Sequence, residues 1–80
     1  MPKPPFARGR QWRKRASHAR GRITHRVYYD PATGYEYEQD PNPAKGTWHE
    51  IDWRQRLYRE IDGQTGHPVQ GSEGRWRTLR

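Results

Sequence analysis

Polar and apolar residues alternate along the middle of this 80-residue chain, and aromatic side chains occupy most of the apolar positions. Residues 24–30 are β-prone, and residues 35–39 alternate tyrosine with glutamate, a period typical of a strand with one packed face and one solvated face. Between them lies DPATG at residues 30–34, in which Asp opens a turn, Pro presets φ and Gly allows a left-handed conformation. This pattern predicts a β-hairpin.

Residues 47–62 are compatible with a helix or with two strands. Thr47 and Glu50 form a capping-box pattern, and Gly63 is a suitable helix stop, so local rules slightly favour a helix. A hairpin is weakened because residues 54–56 contain no Gly, Pro or Asn. However, DGQTG at residues 62–66 repeats the spacing of the first turn, which indicates a meander built from hairpins.

The predicted fold class is therefore all-β or β-rich, a small twisted antiparallel meander over residues 23–80. Residues 1–22 are predicted to form a disordered, flexible basic arm that contributes little to the core, with ordered structure beginning near Ile23. The alternative is an α+β fold with a helix over residues 47–62. The chain has no cysteine, so neither disulfides nor a cysteine-based zinc site stabilises it.

The positive charge is concentrated at the N-terminal end. Residues 1–26 carry nine Lys and Arg and no acid, whereas the remainder carries seven bases against nine acids. Cations interleaved with aromatic rings favour contacts with phosphates and unpaired bases, although a solubilising tail or a leader segment is the alternative. The residues predicted to contact nucleic acid are Arg8, Arg10, Trp12, Arg13, Lys14, Arg15, Arg20, Arg22 and Arg77.

The composition excludes thiol catalysis and a phosphate-binding loop of the P-loop type, and no HExxH spacing supports a metal site. We therefore expect neither a metal nor another cofactor. Metal-free RNA cleavage requires a base, an acid and a cation near the phosphate. The predicted catalytic residues are His49, Glu50, Asp52 and Arg75, with Asp30, Glu36, Glu38 and His67 as further candidates at hairpin rims. Alternatively, these carboxylates are only the solvated side of a strand, and strict alternation places His49 opposite Glu50 and Asp52.

The last third of the chain resembles the C-terminal cytotoxic domain of the colicins that cut small-subunit ribosomal RNA. The resemblance is carried by the pattern IDxxTGxxVxG at residues 61–71, followed by Arg75. The basic segment at residues 12–15 is similar to an upstream element of that family, and either residues 28–30 or 48–52 are similar to its catalytic strand. The resemblance implies a twisted antiparallel sheet that cleaves RNA without metal, with His49, Asp52 (in place of a Glu) and Arg75 in catalytic roles.

A second resemblance concerns residues 26–35 and the following Asp-Pro at 40–41, which are similar to the closing repeat of Rhs/YD-repeat proteins. Both resemblances imply a bacterial polymorphic toxin, and both favour strands over residues 47–62.

The function expected from the sequence is that of a toxin-type endoribonuclease acting on structured RNA, with ribosomal RNA as a candidate substrate. Its expected partners are RNA or the ribosome and an acidic immunity protein, and its expected location is the cytoplasm, including that of a target cell into which it is delivered. No apolar run approaches the roughly 20 residues of a membrane span. The alternatives are a non-catalytic nucleic-acid-binding module and a structural protein of a phage or secretion particle.

Overall fold

The computed structural model describes Phe6, residues 10–16 and residues 23–79, with the side chains of residues 14–16 and 23–26 outside the description. These residues form a six-stranded antiparallel sheet in which spatial order follows chain order. The strands are β1 (Gln11–Ala16), β2 (Ile23–Tyr29), β3 (Glu36–Gln39), β4 (Thr47–Asp52), β5 (Leu57–Asp62) and β6 (Arg77–Thr78). Two 3-10 turns, Pro43–Lys45 and Ser72–Gly74, complete the elements. The predicted β-rich meander is confirmed.

Both predicted hairpin turns are present and have the same geometry. In the first, the Gly34 N–H donates to the Asp30 carbonyl at 2.6 Å, and Gly34 has a φ of 79°. In the second, the Gly66 N–H donates to the Asp62 carbonyl at 2.8 Å, and Gly66 has a φ of 78°. Each turn closes at a residue with a positive φ, and glycine adopts this conformation without a steric cost.

The alternative helix over residues 47–62 is wrong, because β4 and β5 pair along their whole length. The turn between them forms without glycine because the Asp52 carboxylate accepts hydrogen bonds from the Gln55 backbone N–H at 3.1 Å and from its side-chain amide at 2.9 Å. Arg56 then adopts a φ of 56°, a left-handed conformation that costs a non-glycine residue about 1 kcal/mol. A side-chain hydrogen bond thus replaces the missing turn signal.

The predicted boundary near Ile23 is also wrong, because β1 lies inside the segment expected to be a disordered arm. Trp12 of β1 is the direct partner of Tyr28, and their ring centroids are 3.6 Å apart. Phe6 packs edge-on against Tyr37 and Trp48. The N-terminal segment therefore contributes to the core. Strand pairing and the burial of two aromatic rings, Phe6 and Trp12, hold this basic sequence on the sheet.

Strand pairing divides the side chains between two faces, because directly opposite residues point to the same side. The aromatic face carries the buried cluster of Tyr28, Tyr37, Trp48 and Ile61, against which Phe6, Trp12 and Tyr35 pack. The other face, called the His49 face here, carries Glu38, His49 and Glu60 in one cross-strand row.

Candidate functional site

The main polar cluster of the described residues is centred on His49, in the middle of β4. His49 lies directly between Glu38 of β3 and Glu60 of β5. Its Nε2 atom is 3.3 Å from Glu60 Oε1 and 3.4 Å from Asp40 Oδ2. The structure therefore places one imidazole against two carboxylates.

The loop after β3 holds Asp40 in this position. The other carboxylate oxygen, Asp40 Oδ1, accepts the Asn42 backbone N–H at 2.8 Å, and the Asp40 backbone N–H donates to the Thr47 carbonyl. The hydrogen bond from Asn42 is the largest of the effects that hold the pKa of the Asp40 carboxyl below its ordinary value, and the nearby Lys45 ammonium acts in the same direction. Asp40 is therefore a fixed anion beside the imidazole.

Lys45 supplies the positive charge of the cluster. Its Nζ atom lies 3.1 Å from Glu60 Oε1 and 3.7 Å from Asp40 Oδ2. The turn Pro43–Lys45 brings it there, since Asn42 caps this turn at its start and Gly46, with a φ of 66°, closes it. The hydrogen bond to Glu60 raises the pKa of Lys45, so the ammonium stays charged across the neutral range.

The imidazole of His49 remains partly accessible to solvent. The His49 side chain is 28% exposed, whereas that of Glu60 is only 8% exposed. When a carboxylate accepts a hydrogen bond from the Nε2–H of a neutral imidazole, the Nδ1 atom keeps its lone pair free. This is the arrangement of an oriented general base. Asp40, His49 and Glu60 also place ligand atoms within 4.8 Å of one another, and Lys45 already supplies positive charge to both carboxylates.

The carboxylates predicted from the sequence to act with His49 do not lie beside it. Glu50 points to the aromatic face, where it accepts hydrogen bonds from Arg59 Nε and from the Tyr37 hydroxyl, both at 2.7 Å. Burial and the hydrogen bond to Glu50 raise the pKa of Tyr37. Asp52 also points to that face and closes the β4–β5 turn. No bulge interrupts β4, so alternation separates both residues from His49.

The remaining predicted catalytic residue, Arg75, is exposed in the segment that precedes β6, and its backbone N–H donates to the Ser72 carbonyl. Among the further candidates, Glu38 shares the cross-strand row of His49, whereas His67 is exposed beside the second turn. Glu36 accepts a hydrogen bond from Trp53 Nε1 at 2.5 Å, and Asp30 accepts the Ala32 backbone N–H in the first turn.

The residues predicted to contact nucleic acid fall into three groups. Arg10 and Trp12 pack in the structure, since the Arg10 guanidinium lies over the Phe6 and Tyr37 rings and donates to the Phe6 carbonyl. Arg13 and Arg77 belong to the His49 face, where their guanidinium groups lie over Tyr29 and Tyr58 at 5.3 and 4.7 Å. Arg8, Arg20 and Arg22 lie outside the described residues, as do the side chains of Lys14 and Arg15.

Comparison of the chain with protein-family models, with curated proteins and with solved structures found no match. Within the described residues, no helix has the length and apolar character that crossing a membrane requires.

Proposed function

We propose that this chain is a metal-independent endoribonuclease domain of the toxin type, with His49 as its acid–base group and Glu60 as the carboxylate that orients it. The observation that supports this most directly is the 3.3 Å contact between His49 Nε2 and Glu60 Oε1 in a cluster that also holds a lysine. Glu60 takes the role that sequence analysis gave to Glu50 or Asp52.

The cluster contains the groups needed for transesterification of RNA. His49 Nδ1 accepts the proton of the ribose 2′-hydroxyl, whose oxygen attacks phosphorus and forms a 2′,3′-cyclic phosphate. Glu60 and Asp40 stabilise the imidazolium, which returns the proton to the departing 5′-oxygen directly or through water. Lys45 offsets the charge of the two carboxylates and supplies a cation near the phosphate.

The His49 face also offers a surface for the substrate. The Tyr58 ring lies 6.1 Å from the His49 ring, and the Arg77 guanidinium lies over the face of the Tyr58 ring. Arg13 is 56% exposed on the same face. The Arg77–Tyr58 pair lies beside the imidazole, and the Arg13–Tyr29 pair lies on the same face but on β1 and β2. Such stacked cations favour a single-stranded or loop region of RNA, in which phosphates and bases are both accessible.

A non-catalytic nucleic-acid-binding module is the second candidate, favoured by these same two arginine–tyrosine pairs.

A toxin-type endoribonuclease would also require an acidic inhibitor in the cell that makes it. A partner of that charge complements the net charge of +7.

The decisive experiment is incubation of the purified chain with total ribosomes and with extracted RNA in the presence of EDTA. We expect cleavage products that carry a 2′,3′-cyclic phosphate, and we expect a loss of cleavage of roughly 100-fold or more in His49→Gln, with RNA binding retained. His67→Gln is the matched control, because His67 is exposed and, among the described residues, its side chain forms no hydrogen bond or ion pair with the cluster. Intact RNA with undiminished binding would support the binding module instead.

A further inference from the structure

A polar pocket lies on the other side of the sheet, at the end where the β2–β3 and β4–β5 turns meet. Its volume is about 210 Å³, and it is lined by Thr33, Gly34, Tyr35, Asp52, Arg54 and Gln55. This is smaller than the roughly 300–1,000 Å³ of most small-molecule sites, so it suits a single flat ring system. None of these residues belongs to the His49 cluster.

Asp52 is the unusual group in this pocket. It is only 5% exposed, and no Lys or Arg of the described residues forms an ion pair with it. Its recorded partners are the two N–H donors of Gln55. Each carboxylate oxygen has two acceptor positions, so half of its hydrogen-bonding capacity remains for a ligand. A buried carboxylate without a cation is costly, which favours a ligand that brings its own donors.

The walls of the pocket match an aromatic, hydrogen-bonding ligand. Tyr35 is half-buried and is held at its edge by Trp76, with ring centroids 5.6 Å apart, so its ring is fixed in place for stacking. Arg54 is exposed at the rim, where a guanidinium suits a phosphate.

We propose that this pocket binds a guanine base of the RNA substrate, with Asp52 as the residue that reads the base. Guanine presents two adjacent donors, N1–H and the N2 amino group, to a carboxylate. Adenine and cytosine each present an acceptor beside their amino group, and uracil presents a single N–H. Tyr35 stacks on the base and Arg54 contacts its phosphate.

This inference rests on the proposed function, because it makes the pocket a recognition site for the same substrate. Asp52 and His49 are three residues apart on β4, which corresponds to about 10 Å along a strand. The two residues point to opposite faces, so the RNA chain would pass around this end of the sheet, with a guanine in the pocket and a neighbouring phosphate near His49.

The test uses the full chain carrying His49→Gln, so that binding is measured without cleavage. The probes are the four nucleoside 5′-monophosphates, followed by chemical shift changes in NMR spectra. We expect GMP to bind at least 10-fold more tightly than the other three, and Asp52→Asn to abolish that preference while its side-chain oxygen still accepts the Gln55 N–H. Asp62→Asn is the matched control, because Asp62 caps the second turn in a similar way through Gln64.

Equal binding of all four nucleotides, or equal effects of Asp52→Asn and Asp62→Asn, would overturn the guanine site even if the wild-type chain cleaves RNA. Selective GMP binding that Asp52→Asn removes would support the site even if no cleavage is found. The two proposals therefore fail on different measurements. Arg54→Ala, a change at an exposed position, should weaken GMP more than guanosine.

Discussion

Glu60 faces His49 across the sheet because the two are directly opposite partners on β4 and β5, with 3.3 Å between Oε1 and Nε2. Opposite partners in an antiparallel pair hold their side chains close without a bulge or a long-range contact. The distance between these two groups is therefore fixed by the register of the hairpin, and the register is fixed by the turn that Asp52 closes.

The first prediction concerns Glu60→Gln. The amide cannot stabilise a protonated imidazole, so RNA cleavage should fall about 10- to 1,000-fold while RNA binding changes little. Thermal unfolding should be measured alongside, because Glu60 also holds Lys45. Asp62→Asn removes a carboxylate that caps the second turn and does not contact His49, so it should leave cleavage at the wild-type rate. Wild-type cleavage by Glu60→Gln would remove Glu60 from the mechanism.

The second prediction separates Glu50 from catalysis. Glu50 is 7% exposed and accepts charged and neutral hydrogen bonds from Arg59 and Tyr37. Glu50→Gln should lower the free energy of unfolding by about 1–3 kcal/mol, because a buried charge-assisted bond is lost. Under conditions where the variant is folded, its cleavage rate should match wild type. Urea denaturation measures the free energy of unfolding, and the EDTA assay measures the cleavage rate. A Glu50→Gln variant that is folded but inactive would show that Glu50 takes part in cleavage.

The third prediction concerns the N-terminal segment. Phe6 covers the buried aromatic cluster and lies within 3.0 Å of the space that a Cβ on Gly66 would occupy. Phe6→Ala should therefore reduce the free energy of unfolding by about 1–3 kcal/mol. Gln64→Ala, at an exposed turn position, should change it by less than about 0.5 kcal/mol. Removing residues 1–22 should be more damaging, since it also deletes β1. An unchanged melting temperature in that truncation would show that the core forms without Phe6 and β1.

The parts of the fold that have local causes could be predicted from the sequence. DPATG and its repeat DGQTG specify turns by their own backbone chemistry, and alternation in residues 35–39 specifies a strand. Strand β1 was not predicted, because nine cations without an acid are typical of a solvated arm and the packing of Trp12 on Tyr28 is not visible in the sequence. Local rules favoured a helix over residues 47–62, because the hydrogen bonds from Gln55 to Asp52 are not a recognised turn signature.

Of the candidate site, only the central residue, His49, was predicted from the sequence. The sequence predicted His49 as the acid–base group, but it did not predict that Asp40, Lys45 and Glu60 would lie beside it or beside each other. Glu60 becomes visible once the β4–β5 register is known, because residues 49 and 60 are equally distant from the centre of the turn. Asp40 and Lys45 arrive from a loop whose shape depends on the Asn42 cap and on Gly46. Sequence alternation carries no information about such a loop.

The fourth prediction concerns pH. The folded state lowers the pKa of Asp40, so its contribution to stability is present above the ordinary value of 3.8 and is lost as the pH falls through the lowered value. It raises the pKa of Lys45, whose contribution is present below 10.5 and is lost as the pH rises through the raised value. Asp40→Asn should flatten the acid side of a plot of unfolding free energy against pH. Lys45→Met should flatten the alkaline side. An unchanged acid side in Asp40→Asn would show that other carboxylates control acid unfolding.

The last prediction concerns the surface that binds RNA. Arg13 and Arg77 lie on the His49 face, where Arg13 is 56% exposed although its guanidinium lies 3.6 Å from Glu36. Arg59, on the aromatic face, is less exposed and is held by Glu50 at 2.7 Å and by the Trp76 ring at 4.2 Å. Each arginine that contacts a phosphate of single-stranded RNA contributes about 0.7 to the slope of log affinity against log salt. Arg13→Gln should therefore weaken binding at low salt and reduce the slope by that amount, and Arg77→Gln should do the same.

Arg54→Gln is the control, because Arg54 is exposed at the guanine pocket rather than on the His49 face. The RNA probe is poly(U), which contains no base that suits that pocket. With poly(U), the slope should respond to Arg13→Gln and Arg77→Gln and should change little in Arg54→Gln. Fluorescence anisotropy between about 50 and 200 mM salt covers the range in which such slopes are measured. Equal slopes for wild type, Arg13→Gln and Arg77→Gln would exclude the His49 face as the RNA surface and would place the phosphate contacts elsewhere on this basic chain.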